Sequence, residues 1–288
     1  MKQRNGRKAL ELLSQLNDSA MKTLLTLAGA LLLPFFASTA ARQETPATAL
    51  AQSPRHHEWV ELERGERKLR CFVAFPEVAA KAPAVLVIHE NKGLTDWVRS
   101  VADGLAAAGF IAIAPDLLSG AGPESGDTTS FESVDLATKA LYALAPDQVK
   151  ADLDAAAAHV RKLDACDGSL SVAGFCWGGS QTFTYAAHAK GLRAAFVFYG
   201  GAPKDADLLA KIECPVYGFY GENDARITST VADTSAAMKT AGKRFEPVIY
   251  AGAGHGFVRA GEAADASEAN KKARAEAWKR WIELLAAK

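Results

Sequence analysis

The segment Leu170-Ser-Val-Ala-Gly174-Phe175-Cys176-Trp177-Gly178-Gly179 carries a cysteine with a glycine two residues to either side. A buried strand that turns at once into a helix crowds its own backbone around the apex, so small residues are needed two before and two after it. Gly174 and Gly178 meet that need, and Cys176 reads as the apex of a nucleophile elbow, the GxSxG pattern with sulfur in place of the hydroxyl. The start of the following helix carries partial positive charge, which favours thiolate over thiol. The bland alternative is a buried structural cysteine beside a helix-packing glycine pair.

An elbow nucleophile needs an orienting acid and then a histidine later in the chain. After the apolar run Pro215–Tyr220 comes Gly221-Glu222-Asn223-Asp224, and after Phe245–Tyr250 comes Gly254-His255-Gly256-Phe257. Asp224 and His255 are therefore the expected partners of Cys176, with Glu222 as the only nearby substitute for the acid. A strand-end Asp taken singly is usually a cap and a loop His usually solvated; order and placement together favour the catalytic reading. His56, His57, His159 and His188 show no partner spacing and read as surface residues.

A fourth strand end, His89-Glu90-Asn91-Lys92-Gly93, follows the apolar run AVLVI. Backbone N–H groups of Asn91 and Trp177 are the candidates for holding the oxyanion of a tetrahedral intermediate. Glu90 at the mouth of a buried strand is costly to place unless hydrogen-bonded or functional; the plainer reading is a solvated loop acid.

The elements that must position these groups alternate. Arg67–Phe75 has the two-faced pattern of an edge strand, and Ala84–His89 the continuous apolar run of a strand buried on both faces. Trp97, Val101, Leu105 and Ala108 share one helical face. Then come a strand at Phe110–Ala114, a Gly/Ser/Pro-rich loop at Pro115–Ser130, and helical patterns at Phe131–Leu144 and Asp147–Leu163. Strands at Leu170–Ala173, Ala194–Tyr199, Pro215–Tyr220 and Phe245–Tyr250 alternate with helices at Gly178–Ala189 and Val231–Ala241. The chain closes on a helix with Trp278, Trp281, Ile282 and Leu285 at i, i+3, i+4, i+7 spacing. There is no internal repeat. This is the pattern of a three-layer α/β domain, a mostly parallel sheet with helices on both faces and functional groups past the strands' carboxyl ends.

Composition agrees with a folded core and narrows the partners. The chain has 288 residues, 49% hydrophobic and 23% charged, with 33 Lys+Arg against 33 Asp+Glu. A balanced charge offers no drive toward nucleic acid or anionic lipid. Four cysteines are too few for a disulfide-built scaffold, and no CxxC or HxxxH spacing suggests a metal site. A single disulfide among Cys71, Cys166 and Cys214 stays open.

The N-terminus reads as an appendage. Leu24–Phe36 is apolar, follows Met21-Lys22 and precedes Ala37-Ser38-Thr39-Ala40-Ala41. As a helix it rises only about 20 Å, short of the roughly 30 Å hydrocarbon core, and so reads as a secretory signal over residues 1–40 rather than a span. A buried core helix or an uncleaved anchor is the alternative. The tract Met1–Ala20 makes the charged leader unusually long, which points to Met21 as the start of translation. Residues 41–58 read as a linker and 59–288 as the catalytic domain. The expected product is exported, periplasmic or secreted, without stable membrane insertion once the signal is removed, and monomeric.

Together these residues resemble the dienelactone hydrolases (carboxymethylenebutenolidases), a branch of the α/β-hydrolase fold with a cysteine nucleophile. The resemblance runs from about Arg67 to Ala286. It rests on His89-Glu90-Asn91-Lys92-Gly93-Leu94, Ala114-Pro115-Asp116-Leu117, Gly174-Phe175-Cys176-Trp177-Gly178-Gly179, Phe198-Tyr199-Gly200-Gly201, Gly221-Glu222-Asn223-Asp224 and Gly254-His255-Gly256-Phe257. It implies a Cys176–His255–Asp224 triad that cleaves a small ester or enol-lactone through a thioester, with no cofactor. It also implies that Glu90 contacts the resting thiol and helps turn it to thiolate, and that Arg259 grips a substrate carboxylate. A second arginine of the family has no counterpart in Thr128–Leu144, where only Lys139 is basic. The competing readings are a hydrolase scaffold retained only for ligand binding, and thiol redox work. The latter lacks a resolving cysteine near Cys176, because Cys166 lies toward the far end of the strand.

Overall fold

The computed structural model describes residues 45–287. Eight strands form one sheet: β1 (His57–Arg64), β2 (Arg67–Ala74), β3 (Ala82–Ile88), β4 (Ile111–Pro115), β5 (Cys166–Phe175), β6 (Leu192–Phe198), β7 (Val216–Gly221) and β8 (Phe245–Tyr250). Their spatial order is β1-β2-β4-β3-β5-β6-β7-β8, antiparallel across β1–β2–β4 and parallel from β4 to β8.

Successive strand residues alternate between two apolar layers, as a period of two requires. Leu86, Ile88, Ile113 and Val172 face one layer with α4 (Pro146–Lys162), α5 (Trp177–Ala186) and α8 (Val231–Thr240). Val85, Val87, Ala112 and Ala173 face the other with α2 (Asp96–Ala107) and α10 (Glu268–Ala286). The remaining helices are α1 (Pro46–Gln52), α3 (Val134–Tyr142), α6 (Ala206–Ala210), α7 (Ala225–Thr228) and α9 (Phe257–Ala260). The three-layer α/β architecture expected from the alternating pattern is the one observed.

Three expectations need correction. The edge strand is β1, outside Arg67–Phe75: it pairs with β2 from His57↔Ala74 to Arg64↔Arg67. Its residues, HEWVELER, include no fully buried side chain; Val60 and Leu62 pack on the core from a short alternation among charged residues, a weak signal for a strand. Charged residues are the usual cover of a free sheet edge. The linker reading of 41–58 fails from Thr45 onward, because α1 carries a Thr45–Thr48 capping box and Pro46 in its first turn. After it, Ser53, Arg55 and His57 converge on Asp103 of α2, with contacts of 2.6, 2.7 and 2.7 Å to one carboxylate oxygen. His57 is thus tied down rather than free on the surface, and His159 buries its Nε2. His56 and His188 are exposed as expected. The signal reading of 1–40 lies outside the described residues, in which no helix is long and apolar enough to cross a membrane.

Candidate active site

β5 ends at Phe175, Cys176 takes φ 56° and ψ −114°, and α5 begins at Trp177. A positive φ is strained for a residue with a Cβ, and such strain persists only where the surroundings enforce it. The enforcement is backbone packing. A Cβ on Gly174 would collide with the Gly178 carbonyl, and one on Gly178 with the carbonyls of Ile88 and His89. The Cys176 N–H also donates to Phe198 O on β6 at 3.0 Å. The sharp turn expected from the glycine spacing is present, and its thiol keeps partial exposure.

His255 arrives from the loop after β8. Its Nε2 lies 3.2 Å from Cys176 Sγ, and its Nδ1–H donates to Asp224 Oδ2 at 2.5 Å. Asp224 is buried just past β7. The hydrogen bond to Cys176 raises the His255 pKa above its ordinary value; burial opposes this, and Asp224 adds to it. Glu222, the alternative acid, accepts instead from the Gly252 N–H at 2.7 Å, a brace within the loop.

Glu90 differs from expectation. Its side chain is not hydrogen-bonded to the thiol; Arg259 Nε donates to Glu90 Oε2 at 2.8 Å. Glu90 is only 5% exposed. A carboxylate so placed needs a charged or strongly donating partner, and a guanidinium serves better than a neutral thiol. Arg259 sits on α9 with 43% of its side chain open to solvent, so its grip on Glu90 leaves a face free. Lys139 lies exposed on α3.

The loop after β3 is held by groups that the motif reading had left without a role. His89 is wholly buried. Its Nε2 meets the Leu117 N–H at 3.2 Å and its Nδ1 meets Glu90 O at 2.8 Å. An amide can only donate, so Nε2 accepts and Nδ1 carries the proton. Burial lowers the His89 pKa, against the pull of Asp116; with Nε2 accepting, the ring carries one proton. The ring stacks on Trp177 at 5.9 Å and 16°. Farther along, Thr128 Oγ1 accepts from Leu94 N–H at 3.0 Å and donates to Asp116 Oδ1 at 2.7 Å, pinning the same loop. Among the described residues, the amides of Asn91 and Trp177 donate to no side chain and to no turn or loop carbonyl. Tyr199, with φ 42°, is also buried, and its ring stands edge-on to His255 at 5.1 Å. Its hydroxyl has no partner among the described residues, and burial, reinforced by the Glu90 charge, pushes its pKa well above the usual value. Asp116 and Tyr199 were visible only as members of the APDL and FYGG motifs.

A model of the dienelactone hydrolase family matches residues 69–288. The chain belongs to the dienelactone hydrolase family. A Salmonella typhimurium relative, assigned by name to the carboxymethylenebutenolidases, is 34% identical over 215 residues, 71% of this chain and 77% of its own. A Bradyrhizobium relative named as a 2-oxo-3-(5-oxofuran-2-ylidene)propanoate lactonase is 30% identical over 214 residues, 69% of this chain and 83% of its own. A Klebsiella pneumoniae crystal structure assigned to the dienelactone hydrolases has a TM-score of 0.71 at 28% identity, covering 81% of this chain and 99% of that one. The dienelactone hydrolase fold is a mostly parallel α/β-hydrolase sheet, and this member is a hydrolase of the carboxylic ester and lactone class. Four free cysteines are present, with Cys71, Cys166 and Cys214 buried.

Proposed function

We propose that this dienelactone hydrolase cleaves a small ester or enol-lactone bearing a carboxylate, through a thioester on Cys176. The observation that carries this reading is the relay Cys176 Sγ–His255–Asp224, with contacts of 3.2 and 2.5 Å. A free thiol has a pKa of about 8.5, so at neutral pH only a few per cent is nucleophilic without help. His255 takes the thiol proton, and sulfur attacks the acyl carbon. The Asn91 and Trp177 amides receive the oxyanion, and the alcohol or enol leaves with the proton that His255 had taken, which returns the imidazole to its base form. Water deprotonated by His255 then hydrolyses the thioester, while Asp224 holds the imidazole in the required tautomer.

The carboxylate preference rests on Arg259. An incoming carboxylate competes with Glu90 for the guanidinium. The lactonase name of the Bradyrhizobium relative, whose substrate is a lactone with a propanoate arm, supports the class. The apolar leader at residues 24–36 supports an exported enzyme acting outside the cytoplasm.

The test is Cys176→Ala, assayed on p-nitrophenyl acetate and on a carboxylate-bearing enol-lactone, with mass spectrometry of the wild-type acyl-enzyme after a rapid quench. Turnover is expected to vanish, and the acyl mass to map to the peptide holding Cys176. Retained turnover, or an acyl group elsewhere, overturns the reading.

A further inference from the structure

We propose that His89 aims the Asn91 N–H at the oxyanion and is a positioning residue of this hydrolase; the inference rests on the thioester reading above. The peptide linking Glu90 to Asn91 is trans and planar, so its carbonyl and its N–H point in opposite directions. Whatever fixes one end fixes the other. Two donors hold the Glu90 carbonyl: His89 Nδ1–H at 2.8 Å and Gly93 N–H at 3.3 Å. The shorter comes from a buried ring that is itself anchored, since its Nε2 accepts from Leu117 N–H. The Asn91 amide on the opposite side has no loop or side-chain acceptor among the described residues.

The same ring touches the second half of the oxyanion site. It stacks on Trp177, whose amide is the other candidate donor. The carbonyls of Ile88 and His89 meanwhile press on Gly178, two residues past the nucleophile. One neutral imidazole thus couples the loop after β3, the turn after β4 and the elbow. Oxyanion donors act only if they point where charge develops, before it develops, and losing one typically lowers turnover about 10²–10³-fold.

The roles of the two ring nitrogens can be separated. An asparagine amide reaches the position of Nδ1 and can restore the donor to Glu90 O, whereas a glutamine amide reaches Nε2 and restores only the acceptor for Leu117. The experiment compares His89→Asn, His89→Gln and His89→Leu for the acetylation burst with p-nitrophenyl acetate and for alkylation of Cys176 by iodoacetamide. Alkylation at a saturated carbon builds no oxyanion and reports only on the thiol.

Acetylation in His89→Gln and His89→Leu is expected to fall about 10–100-fold, with His89→Asn recovering most of it and alkylation unchanged in all three. Parallel loss of acetylation and alkylation overturns the proposal in favour of a purely structural role, as does equal activity of the Asn and Gln variants. Nitrogen NMR of the unaltered enzyme keeps the proposal falsifiable if a variant fails to fold. Nδ1–H is expected on His89 from pH 6 to 9, and an Nε2–H tautomer overturns it. Failure of the underlying reading is distinct: Cys176→Ala would then retain turnover.

Discussion

Glu90 and Arg259 stand 169 residues apart in the chain and meet through a single hydrogen bond of 2.8 Å, the carboxylate buried and the guanidinium half in solvent. The pairing makes Arg259 the accessible member, the one that an external carboxylate can reach first. Arg259→Ala is expected to lower kcat/KM for a carboxylate-bearing lactone by about 10–100-fold, the scale of one lost charged hydrogen bond, and to leave p-nitrophenyl acetate within about threefold. Equal loss on both substrates would contradict substrate binding by Arg259. The same change strands a buried carboxylate, so Tm is expected to fall and to recover in part when Glu90→Gln is added.

His255 supplies a pH signature. Its folded pKa is raised, first by the bond to Cys176 and then by Asp224. The base form therefore appears only as pH rises through a value above the ordinary 6.5. Thioester formation by the resting enzyme is expected to show an ascending limb with its midpoint above pH 6.5. In Asp224→Asn that midpoint moves toward acid, and kcat falls about 10²–10⁴-fold through loss of the tautomer lock. The linked stability has the opposite direction. The contribution of protonated His255 is fully present below about pH 6.5 and is lost as pH rises through the folded value. Single-turnover pH profiles and melting curves read the two effects separately.

Gly178→Ala tests the packing at the elbow. The added methyl meets the carbonyls of Ile88 and His89, which are backbone and cannot swing aside. Overpacking of this kind costs about 1–3 kcal/mol or more, which lowers Tm by about 3–10 °C in a domain of this size. An unchanged Tm and unchanged activity would show that the strand and the elbow do not press on one another.

Asp103 gives a test at acid pH. Burial alone would raise its pKa, but hydrogen bonds from Arg55, Ser53 and His57 overcome that and hold it at about 2, below the ordinary 3.8. A depressed carboxyl contributes stability above pH 3.8 that is lost as pH falls toward 2. Asp103→Asn is expected to lower Tm at pH 7 and to flatten its fall between pH 4 and 2. A parallel fall in both proteins would remove this cluster as the anchor of the segment around α1.

What the sequence discloses follows how local each constraint is. Cys176, Asp224 and His255 each lie where a buried apolar strand stops, so strand pattern and glycine spacing mark them one at a time and chain order joins them. The layered α/β architecture is legible for the same reason. The pairing of Glu90 with Arg259 is not: it depends on where α9 docks, and the motif suggested the thiol as the partner. β1 escapes because its apolar alternation is short, Val60 and Leu62 among charged neighbours, and α1 because a short helix relies on a cap instead of an apolar face. His89 hides in plain view. Its ring reads as one more histidine until the Leu117 amide shows which nitrogen bears the proton.

The elbow is braced at close quarters by main-chain atoms: the Ile88 carbonyl of β3 and the Gly178 carbonyl of the turn itself press on its glycines, and the Phe198 carbonyl of β6 accepts from the Cys176 N–H. Appetite and machinery are therefore separable here. Outside His89–Asn91 and His255, the loops beyond β3 and β8 can be rewritten, by natural drift or by a directed library, to admit new acyl groups while the perch of the sulfur stays where it is. A search for altered selectivity would do best to leave the two flanking glycines, the His89–Asn91 stretch and His255 untouched and randomise the rest of those rims.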